Sequence, residues 1–258
     1  MTKAQQLLGK MKQGCCSVIG GHVFLTDPSI SAAMATFGYD FIWIDGEHGP
    51  FDKQNLLLHV ISVNEGGSAA FVRVPENNPN VIKPILEMGI DGIIIPMILT
   101  EEEARKAIQA CLYPPEGIRG FGPRRANRYG EIPIQAYLDG AKDSFLRILQ
   151  IEHRQAVENI DAILSVEGLD AIIIGPNDLS ASIGLLGQST HPEVFKLGKK
   201  IIESAKKAGK PVGVSIGPVE STIKAWMDLG IDFISVGDDL SFLQMGAKST
   251  IALVKESR

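Results

Sequence analysis

Cysteine is scarce in this chain and poorly placed for cross-linking. The three cysteines, Cys15, Cys16 and Cys111, are odd in number and two are adjacent, which argues against a disulfide framework and for ordinary reduced thiols. Long apolar runs are missing as well: no stretch approaches the ~18 residues of a membrane span. The opening "MTKAQQLLGKMKQG" mixes polar and apolar residues at helical spacing and lacks the continuous apolar segment of a signal peptide. Basic runs are also absent. With a formal net charge of −5, nucleic acid and anionic membranes are poor partners. The local exception is the cluster Arg119, Arg124, Arg125 and Arg128. The expected protein is soluble and cytoplasmic and acts on a small molecule.

What the chain does have is rhythm. Eight short apolar runs recur: "CSVIGG" (16–21), "FIWID" (41–45), "AAFVRV" (69–74), "DGIIIPM" (91–97), "FLRILQIE" (145–152), "LDAIIIG" (169–175), "PVGVSIG" (211–217) and "DFISVGD" (232–238). Most lack polar–apolar alternation, as strands of a parallel sheet buried on both faces do. Between them lie amphipathic stretches such as "NVIKPILEMG" and "STIKAWMDLG", several ending in a helix-stopping Gly. Eight such alternations in 258 residues predict one α/β domain over residues 1–258, a single (β/α)8 TIM barrel preceded by an N-terminal helix within 1–14. A doubly wound open sheet is the rival, but "VIGGHVF" after the first strand is not its G-x-G-x-x-G fingerprint. The stretch 112–144, between strands four and five, carries "YPPEGIRGFGPRRANRYG" and is too long for an ordinary connection, so it reads as a functional or interface insertion.

In such a barrel the active-site groups sit at the carboxyl ends of the strands. Those ends here carry His22, Asp45, Glu47, His48, Arg73, Gln150, Glu152, Asn177, Asp178, Ser215, Asp238 and Asp239, whereas the amino ends offer little beyond Lys142 and Lys210. That asymmetry argues for an enzyme. Glu152 and Asp178 end neighbouring strands, and two close carboxylates repel unless one is protonated or a cation lies between them. Two hard oxygen ligands with open positions suit Mg²⁺ or Mn²⁺. The competing reading pairs Glu152 with Arg73 and lets Asp178 cap the next turn. The Gly175-Pro176-Asn177 turn can offer backbone N–H groups to an anion beside such a cation.

His48 reads either as a general base whose tautomer Asp45 fixes or as a strand-end histidine bonded to backbone. Arg73 closes an apolar strand with a charge that needs an anion, in a salt bridge or in a substrate. His22 and Ser215 read as pocket lining, and His59, His153 and His191 as surface or structural residues. A Schiff-base aldolase would need a lysine in the body of a strand. None of the eight runs has one there, so carbonyl chemistry would need a metal as electron sink.

Taken together, "FIWIDGEHGP", "FVRVPENNPNVIKPILEMGIDGIIIPM", "GIRGFGPRRANRYG" and "LQIEHRQAVENIDAILSVEGLDAIIIGPNDLSASIG" resemble the HpcH/HpaI family of metal-dependent pyruvate aldolases over about residues 17 to 240. The resemblance implies a barrel of the phosphoenolpyruvate/pyruvate type and reversible retro-aldol cleavage of a 4-hydroxy-2-oxo acid, a sugar-acid or dicarboxylate derivative, through a metal-stabilised enolate. It implies Glu152 and Asp178 as metal ligands, for Mg²⁺ or Mn²⁺ with Co²⁺ also admitted. Gln150 and the backbone over Gly175, Pro176, Asn177 and Asp178 would hold the pyruvyl carboxylate, with Ser215 lining the site. Arg73 would face the enolate oxygen and His48 would be the base, tuned by Glu87 across a subunit contact or by Asp45 within the chain. Family members assemble as homo-oligomers, commonly hexamers, and the arginine stretch would seal such a contact or read a distal substrate carboxylate. Oxaloacetate decarboxylation on the same site and non-catalytic oxo-acid binding are the alternatives. The chain departs from the family at His22, where a large apolar residue is frequent, and at Ala32, where an acid is common, both on the aldehyde side.

Overall fold

The computed structural model describes residues 1–257. Eight strands, β1 (Val18–Val23), β2 (Phe41–Asp45), β3 (Ala69–Arg73), β4 (Gly92–Ile95), β5 (Leu146–Ile151), β6 (Ala171–Ile174), β7 (Val212–Ile216) and β8 (Phe233–Asp238), close into a barrel in sequence order. Every neighbouring pair is parallel, including β8 with β1. Helices connect successive strands and cover the outside, as parallel pairing requires. The eightfold α/β barrel expected from the apolar rhythm is therefore the fold.

Each strand sorts its residues by parity. Ile42, Ile44, Val72, Ile93, Ile172 and Val214 face the helices in one large cluster, and Phe41, Trp43, Phe71, Ile94, Ile148, Ile173 and Phe233 fill the barrel interior in a second. The interior takes three phenylalanines because the neighbouring strands are relieved of side chains beside them. A Cβ at Gly20, Gly92 or Gly213 would run into Phe41, Phe71 or Phe233 respectively. Burying each such ring contributes about 1.5–3 kcal/mol. The helix Lys3–Met11, capped by Thr2 with Gln5 answering in a capping box, plugs the amino-end opening with Ala4, Leu7 and Met11. The interior is thus packed from the bottom upward, and polar residues on the inward parity can stand only near the other rim.

The insertion 112–144 contains a 3₁₀ turn (Arg125–Gly130), a helix (Ile134–Gly140) and a second 3₁₀ turn (Ala141–Asp143). It leaves the helix Glu101–Cys111 and returns to the start of β5, so it lies on the amino-end face. There Arg125 donates to the carbonyls of Met88 (2.7 Å) and Gly89 (3.1 Å) and to Asn64 Oδ1 (2.9 Å). Arg119 is buried, donates to Glu87 Oε1 at 2.9 Å and stacks over Tyr113. These two arginines hold the underside of their own barrel. They cannot read a substrate bound in the mouth of the same chain, because a helix-to-strand connection always returns to the opposite rim.

Candidate active site

The upper rim gathers the polar residues. Asp45 ends β2 and is fully buried, and its Oδ1 accepts Arg73 Nε at 3.1 Å while Oδ2 accepts Arg73 Nη2. The register that sets Asp45 beside Arg73 makes this pair an outcome of strand alignment. Burial pushes the Asp45 carboxyl up, but the Arg73 guanidinium and the hydrogen bonds it accepts outweigh that and hold it below its usual value. Arg73 also reaches Glu47 Oε2 (2.7 Å) and Gln150 Oε1 (3.4 Å), and it stacks over Trp43.

Asp45 forms no hydrogen bond with the His48 ring. The chain curls tightly after β2, with Gly49 N–H donating to the Asp45 carbonyl at 2.9 Å. Asp45 Oδ1 therefore accepts the backbone N–H groups of Glu47 (3.0 Å) and His48 (3.1 Å), and its carboxylate faces into the barrel. The His48 side chain, 62% exposed, stands on the rim with Nε2 3.8 Å from Glu47 Oε2. Glu47, given no role from the sequence, is thus the carboxylate between His48 and Arg73. Its carboxyl is raised, chiefly by burial and further by Asp45 and Asp178, against the pull of Arg73 and His48.

Glu152, only 2% exposed, accepts the Met97 N–H at 2.8 Å and the side-chain amide of Gln150. It makes no pair with Arg73. Met97 is left-handed (φ 52°), an uncommon backbone for a residue with a side chain, and costs of order 1–3 kcal/mol where it is strained. No sequence signal marked this contact. Gly175 is required by close approach: a Cβ there would lie 2.6 Å from Glu152 Oε2 and 2.9 Å from Gln150 Nε2. Asp178 stands exposed in the first turn of the helix Pro176–Ala181, and its carboxylate takes part in no hydrogen bond among the described residues. It does not cap the turn.

The Glu152 carboxyl is pushed up to about 7, mainly by burial and further by the facing charges of Asp178 and Glu47. Such uncompensated negative charge is what a cation relieves, and hard carboxylate and amide oxygens are the donors that Mg²⁺ and Mn²⁺ prefer. No group of three or more His, Cys, Asp or Glu is assembled as a metal cage among the described residues. The two acids fit an ion that leaves its other positions to water and substrate.

A cavity of about 200 Å³ is lined by His22, Asp45, His48, Arg73, Gln150, the Gly175–Asp178 segment and Ser215, and Glu152 is joined to it through its bond with Gln150. Glu87 is not among them. It ends the helix Pro79–Leu86 on the amino-end face, paired with Arg119, and no contact within the chain carries it to His48.

By its family and its curated relatives the chain is a carbon–carbon lyase of the aldolase kind. The chain belongs to the HpcH/HpaI aldolase/citrate lyase family, whose model matches residues 19–244. It is 38% identical to the 5-keto-4-deoxy-D-glucarate aldolase of Citrobacter koseri over 92% of this chain and 90% of that protein. In three dimensions it resembles an HpcH/HpaI aldolase/citrate lyase family protein from Burkholderia cenocepacia, with a TM-score of 0.92 and 28% identity over 97% of this chain and 99% of that one. A similar match is the HpcH/HpaI aldolase of Desulfitobacterium hafniense, with a TM-score of 0.90 and 28% identity over 99% of this chain and 97% of that one.

Proposed function

We propose that this lyase cleaves a 4-hydroxy-2-oxo acid derived from a sugar diacid, of the 5-keto-4-deoxyglucarate type, into pyruvate and a hydroxylated aldehyde. Its relatives' names support the substrate class. The observation that carries the chemistry is the small cavity lined by the Arg73 guanidinium, Gln150 and Asp178, with Glu152 hydrogen-bonded to Gln150.

In this reading the pyruvyl carboxylate is held by the Gln150 amide and the backbone N–H groups of Asn177 and Asp178, with Gly175 and Pro176 keeping that turn close. His48 takes the proton from the 4-hydroxyl. The C4–O bond becomes a carbonyl, the C3–C4 bond breaks, and its electron pair delocalises onto the 2-oxo oxygen beside Arg73. A proton returned to C3 completes pyruvate. Glu47 orients His48, and Asp45 holds Arg73 in plane. A divalent cation held by Glu152 and Asp178, Mg²⁺, Mn²⁺ or Co²⁺, would supply positive charge to the 2-oxo and carboxylate oxygens. Positive groups at that oxygen stabilise the transition state more than the substrate, because the negative charge develops there only as the bond breaks.

The reading includes a homo-oligomer, with a hexamer favoured. The last helix, Asp239–Glu256, buries only Asp239 and leaves Leu240, Leu243, Met245, Ile251, Leu253 and Val254 exposed, an apolar set of the kind that marks an interaction surface. The test of the whole reading is pyruvate release from a panel of hydroxy-oxo mono- and diacids with added Mn²⁺ or Mg²⁺. Hexarate-derived diacids should be cleaved and chelator should abolish the reaction. Cleavage undiminished by chelator, or no turnover on any hydroxy-oxo acid, would sink it.

A further inference from the structure

β1, β7 and β8 each place one polar residue on the inward parity: His22 two positions after Gly20, Ser215 two after Gly213, and Ser235 two after Phe233. Barrel closure brings the three together, since β8 pairs with both β7 and β1 and Ser215 lies opposite Ser235. His22 Nδ1 is 3.0 Å from Ser235 Oγ, a fully buried hydroxyl, and Nε2 is 3.5 Å from Ser215 Oγ. The ring lies on Trp43, with centroids 4.4 Å apart, and stacks against Phe24.

The two sides of this ring are unequal. On the Nδ1 side Ser235 is sealed and at ordinary hydrogen-bond distance, so it sets the ring's orientation. On the Nε2 side the contact with Ser215 is at the limit of a hydrogen bond and opens on the cavity that holds Arg73 and Gln150. Burial drives the imidazole down to about 4, with Asp45 and Asp238 pulling it up and Arg73 pushing it down, so it is neutral near pH 7. A neutral imidazole with one settled nitrogen offers one donor or acceptor at the other. β1 stands four strands from β5 in the closed barrel, so His22 faces Gln150 across the cavity, opposite the group proposed to hold the pyruvyl carboxylate.

We propose that His22, oriented by Ser235 and acting with Ser215, determines specificity by hydrogen-bonding a hydroxyl of the aldehyde portion of the substrate. This rests on the aldolase reading above. Truncated or deoxy aldehydes leave Nε2 and Ser215 Oγ only their marginal contact with each other in a half-buried site, which is how polar pockets discriminate against analogues lacking a hydroxyl. A histidine present only to fill the core would affect all aldehydes alike.

The experiment is aldol addition of pyruvate, with Mn²⁺, to glycolaldehyde and to acetaldehyde, read as the ratio of their kcat/KM values. Exchange of the pyruvate C3 protons for solvent deuterium is measured in each variant, because it needs no aldehyde. The wild-type ratio is expected to favour glycolaldehyde by roughly tenfold or more. His22→Leu should bring the ratio to within about threefold of unity while C3 exchange persists, and His22→Gln, which keeps a donor and an acceptor, should restore much of it. An unchanged ratio in His22→Leu, or a loss of C3 exchange equal to the loss of addition, overturns the proposal. If His22→Leu does not fold, Ser215→Ala decides, and an unchanged ratio there overturns it equally. Absence of both exchange and addition in the wild type would instead bring down the aldolase reading, and this proposal with it.

Discussion

Asp45 grips Arg73 through two nitrogens of the guanidinium, Nε at 3.1 Å and Nη2, with no solvent reaching the carboxylate. This clamp fixes the plane of Arg73, the one Arg or Lys that lines the cavity among the described residues. It also ties chemistry to stability, because removing Arg73 leaves the buried Asp45 carboxylate without a countercharge, whereas Arg73 without Asp45 still has Glu47.

Arg73→Ala is therefore expected to lose about 10²–10³ in turnover and also to destabilise the barrel by about 3–5 kcal/mol. Adding Asp45→Asn removes the stranded charge, so the double variant should regain stability without regaining turnover. Urea unfolding and pyruvate release measured on the same preparations separate the two effects. Equal unfolding midpoints for Arg73→Ala and the wild type would show that the clamp does not stabilise the fold.

His48 sits differently, with its side chain 62% exposed. His48→Ala should cut turnover by about 10²–10⁴ with less than about 0.5 kcal/mol change in stability. Near-wild-type cleavage by this variant would remove His48 as the base.

For Glu152 the pH dependence has a definite sign. Its carboxyl rises from 4.5 to about 7 on folding. Between these values the folded metal-free protein binds a proton that the unfolded chain has released, so this group's contribution to stability is present below pH 4.5 and is lost as pH rises through 7. In chelator, the wild-type melting temperature should fall relative to Glu152→Gln over pH 5 to 8. Mn²⁺ should reverse the loss in the wild type and not in the variant. Parallel melting curves for the two proteins in chelator would contradict the assignment.

Gly175→Ala places a methyl 2.6 Å from Glu152 Oε2. A displacement of that carboxylate of about 1 Å should reduce turnover by about 10² and, if it holds the proposed cation, weaken Mn²⁺ binding by titration. Gly122→Ala, with nothing within 4 Å of its Cβ, is the matched control. Equal behaviour of the two variants would mean that the carboxylate tolerates the shift.

At the opposite rim, Glu87 Oε2 and Arg119 Nε are buried without partners among the described residues, although the two side chains are bonded to each other at 2.9 Å. Arg119→Ala should cost about 3–5 kcal/mol by stranding Glu87, read as a lowered urea midpoint. A midpoint unmoved by the substitution would show that water takes over the carboxylate.

The strand ends were legible because periodicity is local. An apolar run with inward parity must stop being apolar where the interior meets solvent, so Asp45, Arg73, Gln150 and Glu152 announced the rim before any coordinates. Partnerships were less legible. Asp45 and His48 are three residues apart, yet the turn sends one inward and the other outward, and Glu47 stands where Asp45 was expected. Arg119 and Arg125, expected to seal a subunit contact or to read a distal substrate carboxylate, are tied within the chain to Glu87 and to the carbonyls of Met88 and Gly89.

By itself the sequence determined the eightfold parallel barrel and the rim at which its polar residues gather, because both follow from the order of apolar and polar residues along single strands. The tertiary structure alone decided which rim residues meet. Arg73 finds Asp45 through register, Glu152 finds the N–H of Met97 through a left-handed turn, and His22 finds Ser215 and Ser235 through closure of β8 onto β1. Those contacts join residues up to 213 positions apart, and no local pattern encodes a distance that only a closed barrel creates.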